Sequence, residues 1–385
     1  MKKTSTVHTS LPDSRAAGEQ LGRGLIESFG GEAPSAVVVF ASSKHHHKKL
    51  LQAIQDTCQP KAMIGSSSAG EFTQTSFEEG TACAIGFRSD DMRFSPGIGR
   101  NLRHDRTAAA QAIVNSFQGM SSQAYPHRSA LIMTDALAGH ADDFVEQITL
   151  LTGGSYKLFG GGAGDDAHFR KTDVFIGTEA VPDAAVSLEI LSRNPIGVGV
   201  CHGWEPTGSP MRVTEARGMR LISMNNIPSR DIFLRHASTT GQAFDIANPL
   251  PFFLHNVIGI ATDSGFRLRV PLAIDTDGSI QCAADIPEGA TVHIMKPQKL
   301  SALAATQSAL AQLEGQKPEV AMFFDCVATR LRMGREFGFE LKAVQDALGE
   351  NARFAGCNTY GQIASADGQF NGFHNCTAVV CVFPQ

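Results

Sequence analysis

Lys61-Ala-Met-Ile-Gly-Ser-Ser-Ser-Ala-Gly-Glu-Phe72 is the stretch on which the fold turns. Ala62–Ile64 reads as a buried strand, and the small residues after it as a tight glycine turn closed by an acid, Glu71. Two stretches repeat the shape: Lys157-Leu-Phe-Gly-Gly-Gly-Ala-Gly-Asp-Asp166 and Arg353-Phe-Ala-Gly-Cys-Asn-Thr-Tyr-Gly-Gln-Ile363. Each follows an apolar run and a helix-like segment, and recurrence within one chain is a stronger signal than any single copy.

Working outward, Ala36–Ala41 is a continuous β-branched and apolar run, as expected of a strand buried on both faces. Ser42 and Ser43 are placed to cap a helix over Lys44–Thr57, and the chain returns as a strand at Ala62. Ser129–Thr134, Ala141–Thr152 and Lys157–Phe159 repeat the strand–helix–strand order, as do Val320–Asp325, Phe337–Leu348 and Phe354–Ala355. These patterns predict a mixed α/β fold of two related domains built on βαβ units. Residues 1–35 form an N-terminal extension and helix, 36–235 a first domain and 236–385 a second.

At 385 residues the chain suits two domains rather than one. A formal charge of −5 gives no electrostatic footprint for nucleic acid. No apolar run is long enough for a membrane span, and the N-terminus lacks the apolar core of a signal peptide. The eight cysteines include no C-x-x-C pair, which fits reduced thiols in a cytoplasmic protein.

The opening stretch invites catalytic readings that its spacing resists. Gly65 and Gly70 begin a P-loop, but Glu71-Phe72 follow where that motif needs Lys then Ser or Thr. Asp165 takes the third glycine position of a dinucleotide fingerprint. Ser67 is out of register for a hydrolase elbow, although Ser67 or Cys357 could serve as a nucleophile. Two non-enzymatic readings remain. In one, the glycines only allow close packing. In the other, the turns line a ligand pocket with Gly65, Ser67, Gly70, Glu71, Gly162, Asp165, Asp166, Trp204 and Tyr360, the acids meeting the ammonium of an amino acid or similar metabolite. Lys44-His-His-His-Lys-Lys49 puts basic groups on a helix start, either as a solvated first turn or as a dock for an anion. His202, His255 and His374 are candidate metal or haem ligands. Pro251-Phe-Phe-Leu-His-Asn256 sets His255 in an apolar wall, as an axial haem ligand requires.

Ile64-Gly-Ser-Ser-Ser-Ala-Gly-Glu71, Gly160-Gly-Gly-Ala-Gly-Asp-Asp166 and His202-Gly-Trp-Glu-Pro206 together resemble the FIST N-terminal domain. Arg269-Val-Pro271, Phe324-Asp-Cys326, Thr359-Tyr-Gly-Gln362 and His374-Asn-Cys-Thr377 resemble its C-terminal companion. The resemblance implies a non-enzymatic sensor of bacterial signal transduction. Gln362 departs from it, standing where the family often has Glu. Stand-alone proteins of this kind are similar to haem-binding nitric-oxide sensors that regulate a histidine kinase in trans and, through it, biofilm formation. The resemblance thus implies haem, held first by His255, with homo-oligomerisation left open.

Overall fold

The computed structural model describes residues 3–121, 124–263, 265–298, 300–366 and 369–385. Met1 and Lys2 of the N-terminal extension lie outside them.

One order of elements occurs three times. Repeat I runs through strand Lys3–Thr9, helix Ser14–Ser28, strand Ala36–Ser42, helix His47–Cys58, strand Met63–Ser68, hairpin Glu71–Thr73/Phe77–Glu78 and return strand Ala82–Arg88. Repeat II follows with Met92–Arg100, helix Arg106–Asn115, His127–Thr134, helix Ala141–Leu151, Lys157–Gly162, hairpin Val174–Ile176/Glu179–Val181 and Ala184–Ser192. Repeat III opens with Gly197–Cys201 and resumes at helix Ser301–Ala311. It continues through Pro318–Cys326, helices Val327–Met333 and Gly338–Leu348, Arg353–Thr359, hairpin Gln362–Ala366/Gln369–His374 and Ala378–Pro384. The segment read as an N-terminal extension therefore supplies the first strand and helix of repeat I.

The fold is mixed α/β, with parallel and antiparallel pairs in the same sheets. Each repeat builds a sheet in the order first strand, return strand, parallel pair, then a hairpin from a different repeat. The hairpin of repeat I joins sheet III, setting Glu71 opposite Cys357. That of repeat II joins sheet I (Val174 opposite Ser66), and that of repeat III joins sheet II (Gln362 opposite Gly161). The exchange is cyclic, so each sheet is completed only by another repeat.

Strand alternation explains the layers. Val38 and Phe40, Leu131 and Met133, and Met322 and Phe324 share one core enclosed by the three sheets. Their neighbours face outward under helix pairs: Val37 and Val39, Ala130 and Ile132, and Ala321 and Phe323. That two-sided burial is why strand Ala36–Ser42 is buried throughout and apolar as far as Ala41.

The leading glycine of each copy of the motif lies in a strand, not a turn. Gly65, Gly160 and Gly356 sit beside Val39, Ile132 and Phe323 of the parallel partner. A Cβ at these positions would come within 1.8, 2.1 and 1.7 Å of the partner's carbonyl oxygen, so only glycine permits the approach. The chain turns later, at Gly70 and Gly361, both with positive φ. Nor do Ser42 and Ser43 cap the next helix, which starts at His47 with no side-chain cap. Their hydroxyls bind Asp166 of repeat II instead.

Between the first strand and first helix of repeat III lies a fourth, antiparallel sheet formed by strands between Trp204 and Pro297. The 235/236 partition falls within its helix Ser229–Thr240. Arg269, 2% exposed, ties this sheet to the repeats. It donates to the carbonyl of Phe373 in repeat III and pairs at 2.7 Å with Asp142 on the first turn of a repeat II helix.

Candidate functional site

All three parallel pairs end at one place, and there the three copies of the motif meet. Ala69 N–H donates to the carbonyl of Asn358, and Asn358 N–H to that of Gly70, at 2.9 and 2.8 Å. Gly162 and Gly361 are joined in the same way at 2.8 Å, and Tyr360 N–H donates to Gly162 at 2.9 Å. Gly164 and Asp166 donate to the carbonyls of Ser67 and Ser68 at 3.0 and 3.1 Å. The carboxyl ends of parallel strands, where helix N-termini gather, are the usual place for ligands in α/β folds.

The acids expected to meet an ammonium are already engaged. Glu71 accepts from the Ser68 and Thr81 hydroxyls. Burial pushes its carboxyl up to about 7, with those hydrogen bonds opposing. Asp165 accepts from the backbone of Phe169, Arg170 and Lys171 and from the Tyr360 hydroxyl. Asp166 accepts from Ser42 and Ser43. Asp165 and Asp166 tie the turns of different repeats, Glu71 binds within repeat I, and both oxygens of Glu71 and of Asp165 are engaged, unlike the open carboxylate an ammonium site needs. Gln362 repeats the Glu71 arrangement in neutral form: its amide engages the Thr359 hydroxyl at 2.9 Å and the Thr377 backbone.

Beside the junction, under the fourth sheet, is a cavity of about 470 Å³. Repeat II contributes Ala136, Leu137 and Phe169. Repeat III contributes Cys326, Val327, Ala328, Tyr360 and Asn375, and the fourth sheet with its short helix adds Leu254, Val270, Leu272 and Cys282. Phe169 stacks on Tyr360, ring centroids 4.4 Å apart. The wall is apolar with few polar points, as small-molecule pockets are. Asn375, 2% exposed, has a side-chain oxygen without a hydrogen-bond partner. Cys326 is held at about 7 chiefly by its hydrogen bond with Cys376, against burial. Burial, then repulsion from Glu340, pushes the neighbouring Asp325 up.

Of the expected pocket residues, Tyr360 lines this cavity, and Trp204 packs just behind it with Cys326, Ala328 and Val270. Asp165 faces a separate cleft, lined also by His45, His46 and His47. Gly65, Ser67, Gly70, Glu71, Gly162 and Asp166 build the junction without lining either space. Ser67 accepts from Asp173 N–H and is 1% exposed, and Cys357 is wholly buried, its thiol pushed up by burial.

The three histidines do not converge on the cavity, and none lines it. Both ring nitrogens of His202 are engaged, one with the Phe266 carbonyl and one with Trp204 N–H, and burial lowers its pKa. His255 follows the short helix Leu250–Phe253 and is exposed, because the chain turns outward there while Leu254 faces the cavity. Partial burial and the charge of Arg332 lower its pKa. His374 is buried opposite Gln362 on a hairpin strand. No group of three or more His, Cys, Asp or Glu side chains arranged for a metal ion occurs among the described residues. A histidine-held haem in this cavity does not fit the donor set. Cys326 and Asn375 each stand in a quoted motif, but the cavity they line joins segments far apart in the chain, so no local pattern marks them as pocket residues.

Residues 35–227 match the FIST N domain and residues 238–365 the FIST C domain. No curated protein matches the chain. Among solved structures, a cyanuric acid hydrolase from A. caulinodans is similar at 6% identity, covering 100% of both chains with a TM-score of 0.40. PurLQS from Thermotoga maritima is similar at 9% identity, covering 99% of this chain and 72% of that one with a TM-score of 0.24. Neither likeness is strong enough to inform the site. No helix among the described residues is long and apolar enough to cross a membrane.

Proposed function

The chain belongs to the FIST family, whose domains are small-ligand sensing modules in signalling, and on that premise we propose that its ligand occupies the cavity under the fourth sheet. The ligand is small and largely apolar, with one N–H or O–H group to satisfy the Asn375 oxygen. The observation that carries this reading is the composition of the cavity wall: repeats II and III supply one side and the fourth sheet the other. A ligand held between them favours the arrangement in which they close on it, and differential affinity of that kind is what a sensor requires. The response passes to a separate partner protein, a histidine kinase being the class that the family resemblance implies.

Isothermal titration of the full chain with 1-octanol, an apolar molecule with one donor, tests the reading. Saturable binding that weakens about tenfold in Asn375→Ala is expected. Failure of octanol and of similar apolar alcohols to bind would overturn it. Nitric-oxide sensing through haem remains the separate expectation drawn from resemblance, and it would place the iron away from these cavity residues.

A further inference from the structure

The basic run Lys44–Lys49 has no part in that cavity. Threefold repetition gives it a place of its own. In each repeat the chain leaving the first parallel strand faces the turn of another repeat. In repeats II and III these positions, Ala136–Leu137 and Cys326–Ala328, open into the apolar cavity. In repeat I the corresponding residues 43–48 face loop 165–173 of repeat II and enclose a polar cleft of about 470 Å³ that the fourth sheet does not line.

The cleft has the chemistry of an anion site. Its floor is the start of the helix His47–Cys58, which no side chain caps, so its N–H groups and dipole favour negative charge. Lys48, Arg170 and Lys171 stand exposed at the rim with His46 and His168. His45, in the wall, is 5% exposed, and its Nε2 has no hydrogen-bond partner. Asp173, also 5% exposed, adds the opposite requirement. One of its oxygens is engaged by His47 and Lys171, both at 3.2 Å, while the other, Oδ1, has no partner. A cleft whose wall holds both an unpartnered buried imidazole nitrogen and an unpartnered buried carboxylate oxygen calls for a ligand that both accepts and donates.

We propose that this cleft binds a phosphoryl group carrying a proton, as inorganic phosphate or a phosphate monoester, with His45, the helix start and the basic rim on its oxygens and Asp173 Oδ1 accepting its P–OH. Sulfate has the same shape but no proton near neutral pH, so it leaves Asp173 Oδ1 facing an anion. The site is therefore selective between two ions of nearly equal size.

Titration of the full chain with inorganic phosphate, glycerol 1-phosphate and sulfate tests this at matched ionic strength and about pH 6, where both phosphate compounds carry a P–OH in large part and sulfate carries none. Phosphate or the monoester is expected to bind at least tenfold more tightly than sulfate, and the tighter of the two identifies the free ion or the ester as the ligand. Lys48→Glu is expected to weaken that binding at least tenfold, whereas Lys61→Glu, the same charge change on an exposed residue outside the cleft, leaves it unchanged. Asp173→Asn should erase the preference over sulfate. If that variant fails to fold, the phosphate-to-sulfate ratio of the unaltered chain decides alone. Equal affinity for phosphate and sulfate, no binding of either phosphate compound, or equal losses in the two lysine variants would overturn the proposal.

Discussion

Glu71 and Gln362 hold equivalent positions, one ionisable and one not, and the difference is measurable. The native state holds Glu71 protonated up to about pH 7 because the carboxyl is buried. The unfolded chain gives up that proton in the ordinary glutamate range. Stability due to this group therefore falls as pH rises from about 4.5 to about 7 and is level above that. Glu71→Gln, which copies Gln362, should abolish the slope and be the more stable protein at about pH 8, by up to about 3 kcal/mol. Urea unfolding across that range checks it, and parallel curves for the two proteins would contradict it. A second outcome concerns His255: with its side chain exposed, His255→Ala is expected to leave any haem absorption spectrum of the protein unchanged. The acids of the motif were legible in the sequence as unusual residues, but not in their role. Tyr360 lies far along the chain from Asp165, and Thr81 stands beyond a hairpin from Glu71, so nothing local marked these carboxylates as already satisfied.

At the scale of elements, the strand glycines and the docking of the fourth sheet carry the strictest requirements. Gly356→Ala drives a methyl group into the Phe323 carbonyl, the Phe72 ring lying only 2.9 Å from the added atom. Both strands are fixed by their sheet, so the loss should be about 3 kcal/mol or more, read as a fall in unfolding midpoint. Gly349→Ala, with nothing within 4 Å of the added atom, is the milder comparison and costs only the strain of its positive φ. Asp142→Ala leaves the buried Arg269 charge without its carboxylate. A loss of about 3–5 kcal/mol is expected, with faster hydrogen exchange in strand Gly265–Arg269 than in strand Ala36–Ser42. Uniform exchange in the two would show that Arg269 does not hold the sheet to the repeats. The strand–helix–strand units were readable from apolar runs, because burial on both faces leaves a continuous signature. The glycines were misplaced into turns because glycine marks a turn and a close strand approach alike. Helix Val327–Met333, which carries Ala328 into the cavity wall, went unseen because seven residues are too few to show a period.

For the whole molecule, the sequence displayed three copies of a motif but not their cyclic exchange of hairpins. Pairing between distant strands leaves no mark on local pattern, so neither the junction of the three turns nor the cavity beside it could be read from the chain. The cavity has repeats on one side and the fourth sheet on the other, so the proposed ligand would couple its binding to the docking of that sheet. Trp204, the single tryptophan, reports it. It packs with Val270, Cys326 and Ala328 of the cavity wall, and Arg332 lies over its ring at 5.6 Å. The most direct measurement is Trp204 emission during titration with 1-octanol, in the unaltered chain and in Ala328→Phe, whose added ring fills the cavity. A saturable change in emission in the first and none in the second is predicted. The same response in both, or no response in the unaltered chain at concentrations where octanol is shown to bind, would contradict the account.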